Sequence, residues 1–186
     1  MIPNPLHPAV VHFPIVLAVF LPLIAAVVLW RIHDGARVRS WAYVALTAAL
    51  LVVSGLVAKK TGEDQEDRVE AVVPEAALHD HEEAAETFLL VGWVVLGTAL
   101  VGFAPGLVGK GGRLIAVAGT LALLWFGWRV GDLGGKLVYQ HGAAAAYTTA
   151  TAAPADASGV RRSGPDAAVT GAPAVPENDG DDGDQD

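Results

Sequence analysis

Histidine is the side chain in this sequence best suited to do chemistry, and five of the six histidines sit in three short, unusual stretches. His7 and His12 stand at the mouth of the apolar run "LHPAVVHFPIVLAVF", His79 and His81 lie in "LHDHEEAAETFLL", and His141 lies in "GGKLVYQHG". Neutral imidazole is a good ligand for iron, copper and zinc. His12 lies more than a turn beyond Pro8. Left alone in lipid it would cost on the order of a few kcal/mol, so a partner is expected for it. A second polar feature, Arg129, Asp132 and Lys136, follows helical spacing of three and four on an otherwise apolar stretch. Ionisable groups at such depth are expected to face a bundle interior and to partner one another.

Two binding chemistries follow. In the first, a b-type haem is held between helices, with His12 and His81 as axial ligands from different spans and His141 or His7 as substitutes. Phe13, Phe20, Phe88, Trp125 and Trp128 would wall the macrocycle, and Arg129 and Lys136 would neutralise its propionates. In the second, a copper, zinc or iron ion takes at least three ligands from His7, His12, His81 and Glu82, or from His141 with Asp132. A third reading, from another class, is structural: the histidines only hydrogen-bond between helices.

Plain alternatives stand beside each residue. His7 would be a polar interface residue, one of His79 and His81 a solvated surface histidine, and His33 a surface residue. Asp132 and Lys136 would form an i,i+4 pair that eases a helix out of the membrane. The chain has no cysteine, which excludes disulfides, thiolate zinc sites, iron–sulfur clusters and covalent haem attachment. With no Ser or Cys nucleophile motif, no H-E-x-x-H and no glycine-rich phosphate loop, the chain is not expected to be an enzyme on its own.

The elements that must position these residues are spans. Of the 186 residues, 53% are hydrophobic, too many for a domain that must keep a wetted surface. Apolar windows run over 13–30, 41–58, 87–109 and 114–128. Each suffices, with flanking residues, for a hydrocarbon core of about 30 Å. No Lys or Arg precedes Arg31 and no small-residue cleavage motif follows the first window, so that window is read as a retained span. Pro8 suits a helix first turn, and Pro14 and Pro22 are expected to bend the first helix. Gly62 is placed to adopt a left-handed cap after "KK", and residues 63–74 read as an acidic surface loop. Pro74 starts the third helix, and "FAPGLVGKGGR" is the loop before the fourth. The fold class is therefore all-α, an integral membrane four-helix bundle over residues 1–142. Residues 143–186, rich in Ala, Pro, Gly and Asp, form a disordered acidic C-terminal tail.

An even number of spans brings His7, His12, His79, His81 and His141 to one side and leaves His33 on the other. Arg31, Arg37, Arg39, Lys110 and Arg113 mark the His33 side as cytoplasmic, so the termini and the histidine cluster face outward from a cytoplasmic (inner) membrane. A net charge of −8 and the lack of any Lys/Arg cluster exclude a basic nucleic-acid footprint. The expected partners are the lipid bilayer and a redox partner protein or further copies of the chain.

Three stretches carry a resemblance. "HPAVVHFPIVL", then "TGEDQEDRVE" with "LHDHEEAAETFLL", then "GGKLVYQHG" resemble the bacterial membrane-protein family called domain of unknown function 2231, over about residues 5–143. The family pattern falls on His7, Pro8, His12, Phe13 and Pro14, on Gly62, on the His81–Glu82 pair, and on Gly134, Gly135, Val138, Tyr139 and Gly142. His141 fits the form in which a histidine precedes the last glycine. The resemblance implies four transmembrane helices and no assigned activity. Related domains fused to Rieske-type or cytochrome c-type modules imply membrane redox chemistry by association. This chain carries neither module.

Overall fold

The structure is a computed structural model that describes residues 6–148. The expected tail beyond 148 lies outside the described residues. Helices are α1 (His7–Val10), α2 (His12–His33), α3 (Ala42–Glu63), α4 (Glu66–Glu70), α5 (Glu75–Val101), α6 (Gly106–Tyr139) and α7 (Ala145–Thr148), with a 3-10 turn at Val38–Trp41 before α3. Four of the described helical stretches are long and apolar enough to cross a membrane: His7–His33, Val38–Glu63, Glu75–Val101 and Gly106–Tyr139. No strand occurs among the described residues.

Helices α2, α3, α5 and α6 pack in a ring, α2 on α3, α3 on α5, α5 on α6 and α6 on α2. The faces that meet are built from small residues. Ala18, Ala25, Ala45, Ala48, Gly55, Gly92, Ala99, Gly112 and Ala116 are buried, while Phe13, Trp30, Trp93, Leu107, Leu121 and Trp125 point outward. In lipid, burying a large apolar side chain between helices gains little over leaving it outside. Close backbone approach through small residues drives packing instead. A well-packed centre of Leu21, Leu51, Val52, Val95, Thr120 and Leu123 completes the interior.

Local chemistry explains the interruptions. Pro14 has no N–H for the Val10 carbonyl and its ring crowds that group, and α1 ends at Val10. Helix α2 then runs unbroken through Pro22. The stretch expected as a loop before the fourth helix is mostly helix: only residues 102–105 separate α5 from α6, and Gly106 turns the chain at φ 66. Gly109 belongs to that hairpin rather than to a loop, because a Cβ there would lie 1.8 Å from the Ala104 carbonyl oxygen. Gly62 is not a left-handed cap either. It sits inside α3, and the positive-φ glycines are Gly35, Gly106 and Gly142.

At the end of the bundle where α3 finishes and α5 begins, a second small apolar cluster of Val73, Leu78, Leu137 and Ala143 closes the interior, with Val69 and Ala77 against it. Residues 143–148 extend this packed unit. Tyr147 donates its phenol to Gln65 Oε1 at 2.6 Å, and the Arg68 guanidinium lies 5.9 Å from its ring centroid. That contact is a cation–π pair.

Candidate functional site

The inward face of each helix decides which polar residues meet. On α1 and α2 the stripe is His7, Pro14, Ala18, Leu21, Ala25 and Val28, and on α5 it is Leu78, His81, Phe88, Gly92, Val95 and Ala99. The matching stripes carry Gly55, Ala58 and Gly62 on α3, and Thr120, Leu123, Gly134 and Leu137 on α6. His7, Gly62, His81 and Gly134 are therefore all in phase with the interior at a helix spacing of three to four.

The two histidines use the same device. The His7 ring rests on Gly62, where a Cβ would meet its Cε1 at 3.2 Å, and the His81 ring rests on Gly134, where a Cβ would meet its Cε1 at 3.1 Å. Each imidazole occupies the place a side chain would take on the neighbouring helix. His7 Nδ1 donates to the Ala58 carbonyl at 2.9 Å, with Thr61 Oγ1 at 3.3 Å. A carbonyl only accepts, so the proton is on Nδ1 and the Nε2 lone pair is left free. Nδ1 of His81 is buried and has no hydrogen-bond partner, alone in this among the described side chains. The ring's other nitrogen can reach the Val130 backbone carbonyl, and the His7 and His81 rings are near enough for their charges to interact. Lys59 of α3 and Glu86 of α5, paired at 2.6 Å, tie together the helices that carry the two sites.

The remaining candidates do not join them. His12 is exposed on the outer face with no partner among the described residues, because it lies two residues, about 200°, from the inward-facing Pro14. Arg129, Asp132 and Lys136 share a face, but it is the outward one. Asp132 and Lys136 close an exposed i,i+4 ion pair at 2.6 Å, and Arg129 is exposed. Their spacing is regular yet out of phase with Thr120, Leu123, Gly134 and Leu137. The charged neighbours of the partly buried Glu82 are Glu66, His79, Glu70 and Glu86. His141 lies beyond α6 and is half-buried, while His79 and His33 are exposed. Among the described residues no group of three or more His, Asp or Glu side chains could hold a metal ion. Of the aromatic wall, Phe88 is 7% exposed, whereas Phe13, Phe20, Trp125 and Trp128 are 53–68% exposed.

One buried polar pair at the other end of the bundle was not legible as such. Trp41 Nε1 donates to the Ala99 carbonyl at 2.9 Å, and the buried Arg113 donates to the Gly102 carbonyl. Both finish the carbonyl end of α5, where a cation also favours the helix dipole. Read along the chain, Arg113 is simply the last residue of a glycine-rich connection.

A protein-family model described as "Predicted membrane protein (DUF2231)" matches residues 3–147, nearly all of the described chain. No curated protein and no solved structure matches.

Proposed function

The chain belongs to the membrane-protein family called domain of unknown function 2231, and we propose that, within its four-helix body, His7 and His81 form a two-imidazole site for a transition-metal ion, monovalent copper before zinc or iron. The observation that carries this is the buried, unpartnered Nδ1 of His81. A buried nitrogen without a partner costs about 1–3 kcal/mol, and a bound ion would remove that cost. His7 supplies the second donor. Its Nδ1–H is fixed by the Ala58 carbonyl, the arrangement that orients a metal-binding imidazole and leaves Nε2 to the ion. Two nitrogen donors satisfy closed-shell monovalent copper, whereas zinc asks for four ligands and these residues offer two.

The haem reading is less well supported. His12, which would be an axial ligand, faces outward, four of the five wall aromatics do too, and Lys136 is already paired with Asp132. The free nitrogen of His81 is moreover Nδ1, flanked by its own Cβ, which keeps a porphyrin plane away. The structural reading keeps one supporting observation, the α1-to-α3 hydrogen bond from His7 to Ala58.

The purified protein titrated anaerobically with monovalent copper against a chromogenic chelator separates these readings, alongside zinc by elemental analysis and haemin by absorption spectrum. Stoichiometric copper is expected in the wild type and in His12→Ala and His33→Ala, with loss in His7→Ala and His81→Ala. Retention of neither copper nor zinc overturns the proposal and leaves interhelical hydrogen bonding as the role of the histidines. A haemin spectrum that depends on His81 would restore the haem reading.

A further inference from the structure

Away from the histidines, a cleft of about 170 Å³ opens on the outer surface between α5 and α6, lined by Asp80, Glu83, Ala84, Thr87, Phe126 and Arg129. Asp80 and Glu83 are one turn apart on α5, and Arg129 faces them from α6. These opposite charges share one cleft without closing on each other. None of the three side chains makes an ion pair or hydrogen bond among the described residues, while Lys59–Glu86, Lys60–Asp64 and Lys136–Asp132 nearby are all paired at 2.6–2.7 Å. The gap between them has room for a ligand.

We propose that this cleft holds a phospholipid headgroup bearing both a primary ammonium and a phosphodiester, that is, a phosphatidylethanolamine. Its depth fits. Thr87 begins the apolar part of α5, and next to the lining residues Phe126 and Arg129 on α6 the exposed Trp125 and Trp128 pack together at 5.2 Å between ring centroids. Tryptophans gather at headgroup level, so the cleft opens where headgroups are. The charges select among lipids. Two carboxylates against one guanidinium require the ligand to bring a cation, while Arg129 calls for the phosphate. Phosphatidylglycerol brings the carboxylates hydroxyls but no positive charge, so they gain no ion pair from it. The quaternary nitrogen of phosphatidylcholine has no N–H to donate to them.

The test uses the full chain in detergent micelles, with native mass spectrometry of the adducts formed with phosphatidylethanolamine, phosphatidylcholine and phosphatidylglycerol of matched acyl chains. Wild type should retain the ethanolamine lipid about fivefold better than either competitor, the yield expected of a few partly exposed charge contacts. The double variant Asp80→Asn, Glu83→Gln should lose that preference and bind all three alike, and Arg129→Gln should weaken every phospholipid. All these side chains are on the surface, and unchanged thermal midpoints would show the variants folded. Equal retention of the three lipids by wild type overturns the proposal, as does an undiminished preference in both variants. Displacement of the lipid by calcium that then stays bound would make the cleft an ion site and equally overturn it.

Discussion

The two ends of the bundle place polar side chains against small-residue stripes in the same way and finish them differently. At the end built from Trp41, Gly102, Gly109, Gly112 and Arg113, each buried donor meets a carbonyl, and a Cβ at Gly109 or Gly112 would strike backbone atoms at 1.8 and 2.8 Å. At the other end a Cβ at Gly62 or Gly134 would meet only the imidazoles of His7 and His81, at 3.2 and 3.1 Å, and one buried nitrogen is left without a partner. Buried polar groups whose bonds are complete hold a fold together, and a buried group whose bond is missing is free to take a ligand. On the function proposed above, the first end serves closure and the second would serve binding.

The largest expected effect tests the rigidity of the first end. Gly109→Ala has to displace the Ala104 backbone and should cost about 3 kcal/mol or more, lowering the apparent melting midpoint in detergent steeply or abolishing folded protein. Gly62→Ala and Gly134→Ala push only on the edge of an imidazole and should cost about 1 kcal/mol. Equal losses at the two ends would break the comparison.

Next in size is the polar chemistry itself. Arg113→Met leaves the Gly102 carbonyl unpaired and should cost about 1–3 kcal/mol, whereas Trp41→Phe removes one bond from an Ala99 carbonyl that keeps the Gly102 N–H and should cost about 1 kcal/mol. His81→Phe should behave in the opposite way. It replaces a ring carrying an unsatisfied nitrogen with an apolar ring of similar shape, so the apo protein should be as stable as wild type or up to about 1 kcal/mol more stable, while copper retention is lost. A large loss of apo stability in His81→Phe would mean that this end, too, is built for closure.

A smaller effect concerns the cluster that covers the histidine end. Burial raises the pKa of the Tyr147 phenol above its ordinary value, and Arg68 offsets this only in part. A raised folded-state pKa gives a contribution that is complete below the unfolded value of about 10 and is lost as pH rises through the folded one. Amide exchange of residues 143–147 should therefore speed up above about pH 10 beyond the intrinsic base-catalysed rate, and Tyr147→Phe should remove that excess. Exchange that follows the intrinsic rate throughout would detach Tyr147 from the closure of this end.

Much of the fold was legible along the chain. Four apolar windows became four membrane-length helices, and Pro74 does open α5. Which polar residues face inward was legible too, but only through phase. His7 keeps step with Pro14, Ala18 and Leu21 while His12 does not, and the small residues, not the large apolar ones, mark the interior. The partner expected for His12 rested on the cost of an imidazole left alone in lipid, an argument that does not fix the face the side chain takes, and His12 takes the outward one. Arg113 was hidden for another reason. Its role depends on the ends of α5 and α6 folding back on one another, and no local spacing encodes the carbonyl of Gly102 as its partner.

The smallest effect sets two cations against each other. Lys136 carries the same charge as Arg113 and a closer carboxylate than most, Asp132 at 2.6 Å, yet both members of that pair are 40–44% exposed on the outward face of α6. Water and headgroups solvate each partner when the other is gone, and an ion pair in that setting contributes about 0.5 kcal/mol or less. Lys136→Ala should accordingly shift the melting midpoint by less than any of the substitutions above, and added salt should shrink even that difference. Arg113→Met, whose cation is buried against a helix carbonyl rather than paired with an acid, should be indifferent to salt. If instead Lys136→Ala proved the costlier of the two, charge pairing on the lipid-facing stripe would be holding the bundle together, and the contrast between its two ends would be secondary.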